Sequence, residues 1–216
     1  MIQSASVAST RASSGRATGL VKASGCRAHD PGPGHPEQAT RLAAIEERLA
    51  QGGLAAELAW REALPAASAA LERVHPAHYL ERIAGRIAGG ADWVDTPDAN
   101  TSRSSWQAAL LAAGGTLAAV DEVMQGRWQN AFVAVRPPGH HAEANLAMGF
   151  CLLNNVAIAA RHLQCVHAIE RVAIVDFDVH HGNGTQHLFE SDPSVFYASL
   201  HEFPHYPGTG RECERG

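Results

Sequence analysis

The segment Asp176-Phe-Asp-Val-His-His-Gly-Asn-Gly184 sets one carboxylate and one imidazole, Asp178 and His180, two residues apart. At the end of a β-strand, side chains two residues apart point to the same side. A carboxylate with an imidazole suits Zn2+, and a catalytic zinc takes three protein ligands and a water. Asp176 stands in the same phase, two residues earlier, and can orient a neighbour or bind another cation. A lone Asp-x-His is more often a polar strand terminus with capping residues. The turn at Gly182-Asn-Gly184 and the second histidine, His181, weaken that bland reading without removing it.

A second segment, Arg136-Pro-Pro-Gly-His-His-Ala142, stiffens a loop with two prolines and a glycine and presents His140 beside His141. Adjacent histidines can hold different protonation states when each is oriented by its own partner. Such a pair supplies a general base and an electrostatic partner for activating a metal-bound water. A surface pair without a task explains the same residues about equally well. Gly149-Phe150 follows, and a flexible glycine with an aromatic could line a narrow channel for an extended substrate. A lone Phe is otherwise core.

The elements that must position these residues are legible in outline. Pro36 is placed to open a helix, with Leu42, Ile45 and Leu49 at helical spacing up to Gly52-Gly53. The spacing predicts a second helix over 76–88 and a third over 104–126, with Ser104 and Gln107 as a capping box. Asn154 or Asn155 can cap a helix to about Ala168. The apolar runs 131–135, 171–175 and 195–200 read as buried strands. Continuous apolar strands alternating with helices indicate an α/β fold whose parallel sheet is covered on both faces. Ligands of such sheets bind beyond the carboxyl ends of the strands, which is where all three polar loops fall.

The chain has 216 residues, 45% hydrophobic and 18% charged, which suits one domain with a sizeable core. A formal net charge of −5 offers no field for nucleic acid, so no direct nucleic-acid partner is expected. No apolar run approaches the ~20 residues of a membrane helix, so no membrane partner is expected either. Cys26, Cys151, Cys165 and Cys213 form no Cys-x-x-Cys pair, in keeping with a reduced, cytoplasmic setting. Thirteen histidines are many for this length. Residues 1–27, rich in Ser, Ala, Thr and Gly, read as a disordered leader without an opening strand. Their Arg- and Ser-rich, acid-poor start also resembles an organelle transit peptide.

Four segments then make a resemblance specific: RPPGHHA, GFCLLNNVAIAA, DFDVHHGNGTQ and SLHEFPHYPGTG, in this order. Together they resemble the zinc-dependent histone deacetylases. HDPGPGHPE with Arg41, and SWQAALLAAGG at 105–115, are similar to the N-terminal region of that family, so the likeness spans about residues 28–212. Asn183 in DVHHGNGT resembles the class II branch and its bacterial relatives, which include acetylpolyamine amidohydrolases. Arginases share the ancestral fold, but Gly182 stands where their second Asp would be.

The resemblance implies a three-layer arginase/deacetylase-like α/β fold, with residues 28–216 as the N-terminal part of a catalytic domain that is incomplete at its C-terminus. It implies Asp178 and His180 as zinc ligands, His141 as general base, and His140 as the group that stabilises charge or donates a proton. Asp176 would orient His140 and, with Ser199 and Leu200, hold a structural potassium ion. Asn183 would stand behind His141, tuning it less strongly than a carboxylate. Gly149, Phe150 and Tyr206 would line an acyl-lysine channel, with Asp98 as a rim carboxylate.

The family's third zinc ligand, a second Asp, and its Tyr or His that polarises the acetyl carbonyl have no counterpart before Gly216, so the chain is expected to be inactive as it stands. The implied substrate is an acetylated lysine peptide or an acetylated small amine such as a polyamine. A noncatalytic fragment or binding module is the rival reading, and neither the oligomeric state nor the choice of amine follows from the sequence.

Overall fold

The computed structural model describes residues 17–215. Five strands and six α-helices are joined mainly by loops: β1 (Thr18–Lys22), α1 (Thr40–Gln51), β2 (Ala59–Glu62), α2 (Ser68–Leu71), α3 (Ala77–Ala88), α4 (Ser105–Met124), β3 (Asn130–Ala134), α5 (Asn155–His167), β4 (Val172–Asp176), α6 (Asn183–Phe189) and β5 (Val195–Ser199). All strand pairs are parallel, in the order β2-β1-β3 and, separately, β4-β5.

The main core forms where α3, α4 and α5 meet. Tyr79, Leu80, Ile83 and Ile87 of α3 recur at helical spacing and are buried against Ala109, Ala113 and Leu117 of α4 and Ile158 of α5. Burying a side chain such as Ile83 contributes roughly 1.5–3 kcal/mol. The Tyr79 hydroxyl donates to the Leu152 carbonyl at 2.6 Å, so the one polar atom of that ring is satisfied. Helix α4 owes its central place to small residues. A Cβ at Gly114 would stand 1.9 Å from the Leu64 carbonyl oxygen, so only glycine lets the helix lie this close to the chain after β2. A second cluster joins Leu20 and Val21 of β1 with Leu42 of α1 and Ala112 and Ala119 of α4, and a third joins Ala157 and Ala160 of α5 with Ile174, Phe189 and Val195.

Several sequence expectations need correction. The disordered leader is overturned over residues 17–27, while residues 1–16 of it lie outside the described residues. Thr18–Lys22 is the central strand of the three-stranded sheet, and Leu20 and Val21 are buried there. A five-residue strand gains its stability from partners on both sides, not from its own composition. Helix α1 begins at Thr40 rather than Pro36, because Glu37 turns inward to Arg136. The capping box does not form: the Ser104 side chain makes no cap hydrogen bond, and the Ser105 hydroxyl instead accepts from the Ser102 amide at 2.7 Å. Asn154 does cap α5, accepting from the Ala157 amide at 3.1 Å.

The strand at 171–175 is buried on one face only. Val175 is 60% exposed, and Phe177 just beyond it 86%, because no described element covers that face or pairs with the free edge of β4. One sheet covered on both faces was expected, and the described strands form two.

Candidate active site

The loops after β3, β4 and β5 converge, as the parallel order of the strands requires. The loop after β3 delivers His140 and His141, whose ring centroids lie 4.1 Å apart. His140 Nδ1 bonds Asp176 Oδ2 at 2.8 Å, and His141 Nδ1 bonds Asn183 Oδ1 at 2.8 Å. Asp176 is the last residue of β4, and its Oδ2 also accepts from the Tyr197 hydroxyl at 3.1 Å. Burial works against its negative charge, but the bond from His140 outweighs it with its other partners and holds the carboxyl below its ordinary range. Burial, reinforced by the neighbouring His140, lowers His141 to about 4. His141 is therefore neutral near pH 7, with one ring nitrogen free to accept a proton.

Asp178 and His180 stand on the loop after β4, with Asp178 Oδ1 and His180 Nδ1 3.0 Å apart. An oxygen at 2.0–2.2 Å and a nitrogen at 2.0–2.1 Å from one zinc sit about this far apart, so the pair fits two ligand positions of a single ion. Neither atom is sequestered: the Asp178 side chain is half exposed. The His141 and His180 rings meet edge to face at 6.0 Å. His205 stacks on His180, also at 6.0 Å. His181 turns the other way, bonding Thr209 and Gln186, each at 2.7 Å.

These residues open onto a cavity of about 490 Å3 lined by His140, His141, Asp178, His180, Gly149 and Phe150, among others. Gly149 has φ +57°, and a Cβ there would meet the His141 ring at 2.4 Å. Phe150, also left-handed at φ 67°, packs against His35 edge to face at 4.5 Å. Tyr206 sets its ring against His141 at 5.0 Å. Burial, together with the nearby Asp98 carboxylate, raises its phenol well above its ordinary range. Asp98 is also held by Thr96 Oγ1 at 2.5 Å, and its main-chain oxygen accepts from the Phe150 amide at 3.2 Å.

Asp176 and Ser199 are partners in the β4-β5 register. The Ser199 hydroxyl, however, is bonded to His201 Nδ1 at 2.8 Å, and the main-chain oxygen of Asp176 accepts from the Leu200 amide at 2.9 Å.

Sequence reasoning missed two carboxylates. Glu37 forms a buried bidentate pair with Arg136, both contacts at 2.6 Å, in the wall of the cavity. Burial opposes its charge, yet His29 and Arg136 together bring it to about 2. Glu143 accepts from Asn183 Nδ2 at 2.5 Å. Each meets a partner 99 or 40 residues away, which leaves no local signature.

Among the described residues one His/Asp trio converges tightly enough for a metal, Asp121 with His162 and His167, between α4 and α5 and apart from this cavity. His162 Nδ1 lies 3.0 Å from Arg73 Nη1, which can only donate. That fixes the proton of neutral His162 on Nε2, where it donates to Asp121 Oδ1 at 2.7 Å. As it stands, His162 offers a metal no lone pair, and the trio is a hydrogen-bonded clamp between two helices.

Comparison with known proteins gives the family. Residues 35–216 match the family described as "Histone deacetylase domain". The chain is 41% identical over 174 residues to the "Histone deacetylase-like amidohydrolase" of Pseudomonas aeruginosa, covering 81% of this chain and 46% of that protein. It is 40% identical over 174 residues to the human "Polyamine deacetylase HDAC10", covering 78% of this chain and 26% of that one. The solved HDA15 HD domain superposes with a TM-score of 0.85 at 37% identity, over 90% of this chain and 58% of that chain. The chain thus spans about half or less of the two curated relatives, and it belongs to the histone deacetylase family.

Proposed function

We propose that these residues form the front part of a zinc-dependent amidohydrolase that removes acetyl groups from acetyl-lysine or related acetylated amines. The observation that carries this reading is the adjacent pair His140 and His141, each tied through Nδ1 to its own partner, beside Asp178 and His180 in one cavity. Asp178 and His180 would hold zinc. The ion, when bound, supplies Lewis-acid activation of water and of the acetyl carbonyl. His141 takes a proton at Nε2, because its Nδ1 is engaged by Asn183. His140, backed by the Asp176 carboxylate, stabilises developing charge or returns a proton to the leaving amine. Gly149, Phe150 and Tyr206 line the approach, and Asp98 stands at its rim. A structural potassium ion at Asp176, Ser199 and Leu200 belongs to the same reading: His201 Nε2 faces the Gly210 carbonyl, so the Ser199 hydroxyl donates to His201 Nδ1 and keeps its lone pairs for a cation.

Among the described residues no third carboxylate, imidazole or thiol closes on Asp178 and His180. The 216 residues alone are therefore expected to bind zinc weakly and to show no measurable turnover. Exposed Val175 and Phe177 beside the free β4 edge should also make them prone to aggregate.

The test fuses these residues to the remaining C-terminal portion of the Pseudomonas relative and assays an acetyl-lysine peptide. Turnover should appear in the fusion and not in the isolated residues. In the fusion, His141→Ala should retain zinc while kcat falls by roughly 10²–10⁴. Near-normal kcat in that variant would place water activation elsewhere. A small acetylated amine is the second reading for substrate, favoured by the similarity to the human polyamine deacetylase. Assaying an acetylpolyamine alongside the peptide separates the two.

A further inference from the structure

Asn183 could face His141 in either of two orientations, since its amide oxygen and nitrogen differ little in size. The surrounding atoms decide between them. Beside its nitrogen lie the Glu143 carboxylate oxygen at 2.5 Å, the His141 main-chain oxygen at 3.4 Å and the Met148 sulfur at 3.4 Å, none of which can donate. The oxygen is thereby left toward His141 Nδ1, at 2.8 Å. An acceptor opposite Nδ1 requires the imidazole proton there, and the lone pair then falls on Nε2.

Glu143 is itself held. Its amide donates to the Leu146 carbonyl at 3.0 Å, and its Oε1 is bonded by His187 Nδ1 at 2.8 Å. Its side chain is largely buried, and Asn183 is almost fully so. The two weaker contacts at 3.4 Å would hold the amide only loosely without it.

We propose that Glu143 is a positioning residue that, by fixing the orientation of the Asn183 amide, selects the Nδ1–H tautomer of His141. The selection is a property of the resting chain. Its importance for turnover rests on the reading of His141 as general base. A carboxylate one residue removed thus directs the histidine through a neutral amide, without sharing the histidine's proton.

The experiment is a long-range proton–nitrogen NMR correlation of the histidine rings in the nitrogen-15-labelled 216-residue chain at pH 7.5, with His141 assigned by His141→Gln. The wild-type ring should show the Nδ1–H pattern almost alone. Glu143→Ala should convert it to a mixture, raising the Nε2–H form severalfold. Glu143→Gln should restore the wild-type pattern, because the glutamine oxygen still accepts from Asn183 Nδ2. A merely structural role for Glu143 would leave the tautomer unmoved in a folded Glu143→Ala variant. An unchanged Nδ1–H ring in folded Glu143→Ala overturns the proposal and leaves the base reading intact. Should Glu143→Ala fail to fold, Asn183→Ala serves in its place: loss of the Nδ1–H preference is expected, and its retention overturns the proposal. A tautomer shift without loss of kcat in the active fusion would instead sink the base reading.

Discussion

His140 and His141 lie ring to ring, with centroids 4.1 Å apart, yet their Nδ1 atoms meet chemically unlike partners: the Asp176 carboxylate and the Asn183 amide. His140 thus faces a carboxylate and His141 a neutral amide. Burial and the nearness of His140 keep His141 neutral. Two identical side chains are thereby placed in unlike settings, which the proposed division of labour between them would use.

Close packing around His141 makes its position sensitive to Gly149. Gly149→Ala would place a methyl group 2.4 Å from the His141 ring at a left-handed φ of +57°. The backbone strain alone costs about 1–2 kcal/mol, and His141 must also move. Urea unfolding should show at least that loss. A variant as stable as wild type would contradict the geometry.

The Glu37–Arg136 pair ties the loop before α1 to the end of β3. Arg136 also donates to the main-chain oxygens of Cys26 at 3.0 Å and His29 at 2.8 Å. Arg136→Met leaves the buried Glu37 carboxylate with His29, at 3.3 Å, as its remaining partner and should destabilise by about 3 kcal/mol. Adding Glu37→Gln should recover part of that loss in thermal unfolding. Strictly additive losses would show that the pair is not coupled.

His75 gives the fold a pH dependence of known sign. It is fully buried, its Nδ1 bonds the Ala144 carbonyl at 3.0 Å, and its Nε2 accepts from the Asn154 amide at 2.9 Å. Burial lowers it from 6.5 to about 4. The unfolded chain therefore takes up this proton first as pH falls, and stability present above pH 6.5 is lost toward pH 4. Between pH 7.5 and 5 the loss from this group is about 2 kcal/mol. Urea titrations of wild type and His75→Gln should show a correspondingly smaller pH dependence in the variant. Equal slopes would contradict the assignment.

Much of the frame was legible because its signals are local. Ile83 and Ile87 mark α3 by helical period, Asn154 caps α5, and the apolar runs at β3, β4 and β5 end in the loops that meet. What escaped depends on distant partners. The β2 sequence Ala-Trp-Arg-Glu shows no alternation and has three exposed residues, so only its pairing with β1 makes it a strand. The hidden roles of Glu37 and Glu143 exist only once remote loops are brought together. The apolar run of β4 suggested burial on both faces, but hydrophobicity shows that a surface wants cover and does not show what supplies it.

Zinc titration calorimetry on the 216-residue chain bears most directly on the site. Wild type should show one weak zinc-dependent event, and Asp178→Ala or His180→Ala should abolish it. Asp121→Asn, remote from the cavity, should leave it unchanged. Unaltered zinc binding by Asp178→Ala and His180→Ala, or its loss in Asp121→Asn, would contradict the assignment and move the metal out of the cavity.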